Sequence, residues 1–153
     1  MHADILAGIH TYGVVTDQTG EQMYAFETNG FSQHLLLDDA NVPSLLSAAY
    51  LGFKTPYDPH DRLLRATRRF ILSTRNRLFF KGANGSGVGS DHTEKGSVWP
   101  MSIIMEGFSA HLEDAANENL DSVWRRLEGS HADTFSMHES FDVNDPRVFT
   151  RKW

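Results

Sequence analysis

The 153-residue chain contains no cysteine. This absence excludes a disulfide framework, zinc sites built from thiolates, and a cysteine nucleophile. Many secreted enzymes also lack disulfides, so the absence leaves the cellular compartment open.

The chain also lacks a long apolar run, since no stretch approaches the roughly 20 residues that a membrane-spanning helix needs. Its first ten residues have no basic region, and Asp4 and His10 interrupt their apolar character. These features predict neither a signal peptide nor a membrane partner.

Basic residues are scarce, because 14 Lys and Arg stand against 20 Asp and Glu, for a formal net charge of −6. Nucleic acids and anionic membranes are bound by basic surfaces, so we expect neither as a partner. Hydrophobic residues make up 40% of the chain and charged residues 22%, which is typical of a globular protein. The length fits one domain of about 100–200 residues.

Apolar residues at helical spacing give the clearest secondary-structure signal. One segment looks extended instead, and its Asn29-Gly30 turn favours a β-hairpin. The sequence therefore predicts a mainly α fold with about five helices and a short β-hairpin. The predicted helices cover residues 3–16, 41–52, 58–71, 98–112 and 114–128, and the extended segment covers 22–37.

Capping residues and apolar faces define three of these helices. Asn41 and Pro43 begin the helix at 41–52 and Gly52 ends it, while Asp58 is the expected N-cap of the helix at 58–71. The apolar face of the 58–71 helix comprises Leu63, Leu64, Thr67, Phe70 and Ile71, and that of the 98–112 helix comprises Met101, Ile104, Met105, Phe108 and Leu112.

Two local patterns each allow two interpretations. Asp38 and Asp39 precede the predicted helix at 41–52, where they either cap the helix or hydrogen-bond a polar ligand. Residues 82–90 are rich in glycine but lack the Gly-Lys-Ser/Thr of a phosphate loop and the third glycine of a dinucleotide fingerprint. This segment is either a flexible connector or a loop that bends residues 91–93 into a cleft.

Four side chains of metal-ligating type, His131, Asp133, His138 and Glu139, lie close together in sequence. Their spacing matches no helical metal-binding pattern, so we predict no metal. Glycoside cleavage needs only carboxylates, although a lone loop glutamate such as Glu139 is more often a solvated surface charge. The aromatic residues available to stack on sugar faces are Phe26, Phe31, Trp99, Phe141 and Trp153.

Several stretches, taken together and in order, resemble glycoside hydrolase family 125, the metal-independent exo-α-1,6-mannosidases. They are residues 24–31, 38–46, 87–93, 98–101 and 137–141, followed by 145–146 and 149–151. Two positions depart from the family pattern: Asn29 stands where aspartate is usual, and Asp91 where proline is usual.

The resemblance implies a fold, an (α/α)6 barrel of six inner and six outer helices. Twelve helices need far more than 153 residues. We therefore expect residues 1–153 to be a single segment, the C-terminal part of such a glycosidase domain, with the N-terminal part absent. A partial barrel leaves helix faces without partners, which favours self-association.

The resemblance also implies a reaction, the inverting release of mannose from the non-reducing ends of α-1,6-linked mannosides, without a metal or cofactor. Glu139 takes the role of general base, while the general acid belongs to an upstream motif with no counterpart here. We therefore expect this chain to be inactive alone. The alternatives are a non-catalytic sugar-binding remnant and a helical interaction domain. The implied substrate-binding residues are Glu27, Asp38, Asp39, Asn41, His92 and His138.

Overall fold

The computed structural model describes residues 1–113 and 116–150, with residues 116–119 described by their backbone alone. Asp114, where the last helix was predicted to begin, lies outside the described residues, as do Arg151 and Trp153. The helices are α1 (His2–Gly13), α2 (Arg62–Ile71), α3 (Pro100–Phe108), a short 3₁₀ helix (Ala110–Leu112) and α4 (Ala116–Gly129).

Eight short strands pair into four antiparallel two-stranded sheets, β1 with β2, β3 with β4, β5 with β6, and β7 with β8. The strands are β1 (Val14–Thr16), β2 (Gln22–Tyr24), β3 (Glu27–Thr28), β4 (His34–Leu35), β5 (Phe79–Gly82), β6 (Gly85–Val88), β7 (Ser97–Val98) and β8 (Phe141–Asp142).

The predicted mainly α fold, a partial (α/α)6 barrel with about five helices, is wrong. The described residues form four α-helices and four small sheets, which is a mixed α and β architecture. The predicted β-hairpin is present, with Asn29-Gly30 between β3 and β4. None of the helices in the described ranges is both long and apolar enough to cross a bilayer.

The segment 41–52 forms turns instead of the predicted helix because side chains satisfy its amides. Asp38 accepts hydrogen bonds from the amides of Leu45 and Leu46, and Ser44 and Ser47 bond each other's backbone. Such side-chain hydrogen bonds compete with the backbone hydrogen bonds of an α-helix. Gly52 still ends the segment as predicted, with a left-handed φ of 74° that glycine adopts at little cost.

Helix α2 ends at Ile71 as predicted but begins at Arg62, four residues after the predicted start at Asp58, because residues 59–60 form a turn. The carboxylate of Asp58 accepts hydrogen bonds from the amides of Arg62 and Leu63 at 2.7 and 2.9 Å, so it caps the helix from an upstream turn. Thr67 accepts a hydrogen bond from the amide of Tyr24 and thereby ties α2 to β2. The five residues of the predicted apolar face, Leu63, Leu64, Thr67, Phe70 and Ile71, are all buried.

The predicted helix at 98–112 is divided. β7 occupies its start, α3 begins at Pro100 as proline's fixed φ favours, and the 3₁₀ helix follows. Its predicted apolar face is also partly wrong, because Phe108 is 51% exposed while Ile103 and Glu106 are buried. Glu106 is buried because its carboxylate forms a bidentate ion pair with Arg126 on α4.

The glycine-rich segment is a tight hairpin, β5–β6, and the interpretation as a flexible connector is wrong. A side chain at Gly87 would collide with Val98, and one at Gly89 would collide with the backbone carbonyl of Ser97. Glycine at these two positions lets β6 approach β7 closely. This approach places residues 87–93 beside residues 97–99.

Candidate active site

Four of the matching sequence stretches lie side by side, joined by their backbones. The amide of Ala40 donates to the carbonyl of Gly89 at 3.0 Å, and the amide of Trp99 donates to Val88 at 3.1 Å. The pairing of β7 with β8 adds the fourth stretch. The chain thus brings together residues 38–41, 87–93, 97–99 and 139–142, which are far apart in sequence.

Three of the predicted substrate-binding residues meet around one serine. The Ser90 hydroxyl donates to Oδ2 of Asp39 at 2.8 Å, and the amide of His92 donates to that hydroxyl at 3.2 Å. Oδ1 of Asp39 accepts the side-chain amide of Asn41 at 2.5 Å. Ser90 was not predicted, although its position directly before Asp91-His92 in a matching stretch was a signal for it.

The loop after Ser90 is anchored by an aromatic residue. Nε1 of Trp99 donates to the Thr93 hydroxyl at 3.1 Å, and the amide of Thr93 donates to the Ser90 carbonyl at 3.3 Å. Trp99 is only 5% exposed, so in this structure it supports the loop and presents little surface to a sugar. Among the aromatic residues considered for stacking that the structure describes, Phe31 is the exposed one, at 84%.

Asp38 lies below this surface and is fully buried. Its two oxygens accept the amides of Leu45 and Leu46 at 3.0 and 2.9 Å. Asn76, also buried and missed by the sequence analysis, donates to the Asp38 carbonyl at 3.2 Å. Burial raises the pKa of Asp38 to about 7, outweighing the backbone amides of Leu46, Leu45 and Asp39, which lower it. In this structure Asp38 therefore positions the neighbouring loop and is closed to ligands.

The stability that Asp38 contributes should decline as the pH rises. Its pKa of about 7 in the folded state exceeds the value of about 3.9 expected in the unfolded chain, so the folded state binds the proton more tightly. The contribution is complete below pH about 4 and lost by pH about 7, by up to about 4 kcal/mol. Urea denaturation across this range should show the decline when the chain is compared with Asp38→Asn.

The matched control for this comparison is Asp91→Asn, at an exposed carboxyl whose pKa the hydrogen bond to Arg77 lowers. A lowered pKa reverses the sign, so the Asp91 contribution should not decline between pH about 4 and about 7. If the difference between the chain and Asp38→Asn were constant with pH, the raised pKa of Asp38 would be refuted.

Glu139 is half-buried on a segment that is held at both ends. Beside it, the amide of Thr150 donates to the Ser140 carbonyl, and the amide of Ser140 donates to the Thr150 hydroxyl, both at 3.1 Å. On the other side, the His138 ring stacks on Phe149 with centroids 3.7 Å apart and is 1% exposed. His138 is therefore closed to a sugar in this structure, whereas Glu139 retains access to solvent.

Glu27, the last of the predicted substrate-binding residues, lies on β3. It is not part of the group that Asp39, Asn41 and His92 form around Ser90. It is exposed at the edge of an apolar cavity of about 300 Å³ whose wall includes Tyr24, Phe26 and Phe53. Within residues 1–113 and 116–150, no three His, Asp or Glu side chains gather as metal ligands. The His131 ring instead stacks on Phe135, at 4.9 Å between centroids.

Comparison with known proteins adds three findings. The sequence profile of the metal-independent alpha-mannosidases (GH125) matches residues 1–153. The meiotically up-regulated gene 157 protein of Schizosaccharomyces pombe is 40% identical over 150 residues, which is 97% of this chain and 28% of that protein. The chain thus spans less than a third of this curated relative.

A solved structure from Streptococcus pneumoniae is also similar, with 37% sequence identity and a TM-score of 0.88 over 98% of this chain. The match covers 34% of the streptococcal chain. That protein belongs to a family of metal-independent alpha mannosidases and was solved in a non-productive complex with α-1,6-mannobiose.

Proposed function

The chain belongs to glycoside hydrolase family 125, the metal-independent α-mannosidases, and we propose that it carries the general base of an α-mannosidase. The proposed substrate is an oligosaccharide with an α-1,6-linked mannose at its non-reducing end. The observation that carries the proposal is the family match over residues 1–153, which includes the four stretches joined by the backbone.

The chemistry of the surface supports this substrate. Asp39 and Asn41 offer carboxylate and amide groups, which suit the hydroxyls of a neutral sugar. The relative from Streptococcus pneumoniae was solved with α-1,6-mannobiose, which makes this linkage the first one to test. We propose Glu27, Asp39, Asn41 and His92 as residues that contact the substrate, and Asp38 and His138 as residues that position their neighbours.

In the proposed reaction Glu139 acts as general base. Its carboxylate takes a proton from a water molecule, whose oxygen bonds to the anomeric carbon as the glycosidic carbon–oxygen bond breaks. A separate carboxylic acid protonates the departing oxygen, and the configuration inverts. In inverting enzymes the two carboxyl groups stand roughly 6.5–9.5 Å apart, which leaves room for the water.

We propose that the general acid comes from outside residues 1–153. The relative from Schizosaccharomyces pombe extends well beyond the match, since this chain covers 28% of it. We propose that residues 1–153 correspond to the C-terminal part of such a longer enzyme. Exposed apolar side chains on the helices, among them Ile5 at 55% and Trp124 at 68%, support self-association of the chain when it is alone.

The first test is an assay of the purified chain with α-1,6-mannobiose. We expect no detectable release of mannose, because general acid catalysis typically contributes about 10²–10⁴-fold and our proposal places the acid outside residues 1–153. We expect calorimetry to show binding of mannose. Size-exclusion chromatography of the same sample reports whether exposed helix faces cause self-association.

Two outcomes would change the proposal. Robust turnover that Glu139→Gln abolishes would show that the acid lies within residues 1–153. Binding of mannose by the chain and by a longer form, without turnover in either, would favour a non-catalytic sugar-binding role.

A further inference from the structure

Every hydrogen-bonding position of the Ser90 hydroxyl is used. The side chain is 3% exposed, and its oxygen lies 2.8 Å from Oδ2 of Asp39, 3.2 Å from the amide nitrogen of His92 and 3.4 Å from Nδ2 of Asn41. A hydroxyl has one proton to donate and two lone pairs to accept with. The two nitrogens can only donate, so the proton goes to Asp39 and both lone pairs are occupied.

This arrangement also determines the orientation of the Asn41 amide. Nδ2 of Asn41 donates to Oδ1 of Asp39 at 2.5 Å and reaches Ser90 at 3.4 Å, which uses both of its protons. Oδ1 of Asn41 then remains as an acceptor, and this side chain is exposed. Oδ2 of Asp39 keeps one lone pair beside the Ser90 bond. Two neighbouring acceptors match the hydroxyl donors of a sugar.

The backbone determines where the hydroxyl sits. The Gly89 carbonyl accepts the amide of Ala40, and the crowding at Gly89 brings the chain close to Ser97. The Ser90 carbonyl accepts the amide of Thr93. The hydroxyl is thus held between the 39–41 and 90–93 segments by bonds that do not involve any ligand.

We propose that Ser90 is the positioning residue of the substrate site, acting through Asp39, Asn41 and His92 without touching the sugar. The proposal rests on the proposed function, because it assumes that these three residues contact mannose. Without the hydroxyl, Asp39 is held only through Oδ1, which accepts the backbone and side-chain amides of Asn41 at 2.9 and 2.5 Å. Oδ2 of Asp39 loses its donor, and the amide of His92 loses its acceptor. The acceptor pair is then no longer preorganised, and affinity falls.

The experiment compares Ser90→Ala and Ser90→Thr with Ser86→Ala, a control serine in the same hairpin. The first readout needs no ligand: amide exchange at His92 and the Asn41 side-chain signals, followed by NMR. The second is mannose affinity by calorimetry. We expect Ser90→Ala to lose protection at His92 and about tenfold or more in affinity. Ser90→Thr, which keeps the hydroxyl, should recover most of both, and Ser86→Ala should change neither.

Unchanged His92 and Asn41 signals in Ser90→Ala would overturn the proposal, as would unchanged affinity. If the unaltered chain binds no mannose, the proposed function fails for this chain alone, and the NMR readout still decides the role of Ser90. If Ser90→Ala does not fold, Ser90→Cys replaces it, because a thiol is a weak donor and should show the same losses.

Discussion

Replacing Glu139, the proposed general base, with glutamine should lower the turnover of an active hybrid enzyme about 10²–10⁴-fold, the usual contribution of such a group. Glutamine keeps the size of the side chain but cannot take a proton from water. The active form can be made as a hybrid, in which residues 1–153 replace the matching 34% of the streptococcal chain. Release of mannose from α-1,6-mannobiose, measured with saturating substrate, reports the loss.

The matched control is Glu128→Gln, at an exposed glutamate on α4. This change should leave turnover within about twofold, since exposed substitutions away from a site have small effects. The Michaelis constant of the Glu139 variant should change little, because the base acts on water in the transition state. Full turnover by Glu139→Gln in a folded hybrid would remove Glu139 from the catalytic role.

Replacing Arg126 with methionine should lower the free energy of unfolding by about 3 kcal/mol. Arg126 and Glu106 form two hydrogen bonds, at 2.8 and 2.7 Å, and their side chains are only 9% and 11% exposed. Arg126 also donates to the carbonyl of Ser86 in β6 at 2.6 Å. Methionine leaves a carboxylate and a carbonyl in a poorly solvated place, which is costly. Urea denaturation measures the loss.

The neighbouring Arg125, exposed on the same helix, provides the control. Arg125→Met should change stability by less than about 0.5 kcal/mol. The double variant Arg126→Met with Glu106→Gln should be more stable than Arg126→Met alone, because glutamine carries no charge that has lost the Arg126 guanidinium. Equal losses in the Arg125 and Arg126 variants would show that the ion pair contributes little.

The sequence predicted helices best where one apolar face was continuous. In α2 the burial of Leu63, Phe70 and Ile71 and the capping by Asp58 follow directly from spacing and from capping preference. The helix prediction failed at 41–52 because Asp38, Ser44 and Ser47 make competing hydrogen bonds to nearby backbone amides. That helix was predicted from Asn41 and Pro43 at its start and Gly52 at its end, and such terminal residues do not reveal bonds made by the side chains between and before them.

Sequence motifs likewise identified only part of the candidate site. Ordered motifs were sufficient to select Asp39, Asn41 and His92, which the structure brings together. The motifs did not separate these residues from Asp38, which is fully buried although the adjacent Asp39 is only partly buried. Nor did they identify Ser90, because its role arises from the approach of two segments about 50 residues apart.

The backbone links between the segments around Ser90 also bear on protein engineering. Because main-chain groups hold these segments together, the exposed side chains at positions 41 and 92 can be randomised without removing those links. Selection from such libraries would then report altered sugar preference more than loss of folding. Glycines 87 and 89 would have to be kept constant, since larger residues there would force the hairpin away from β7.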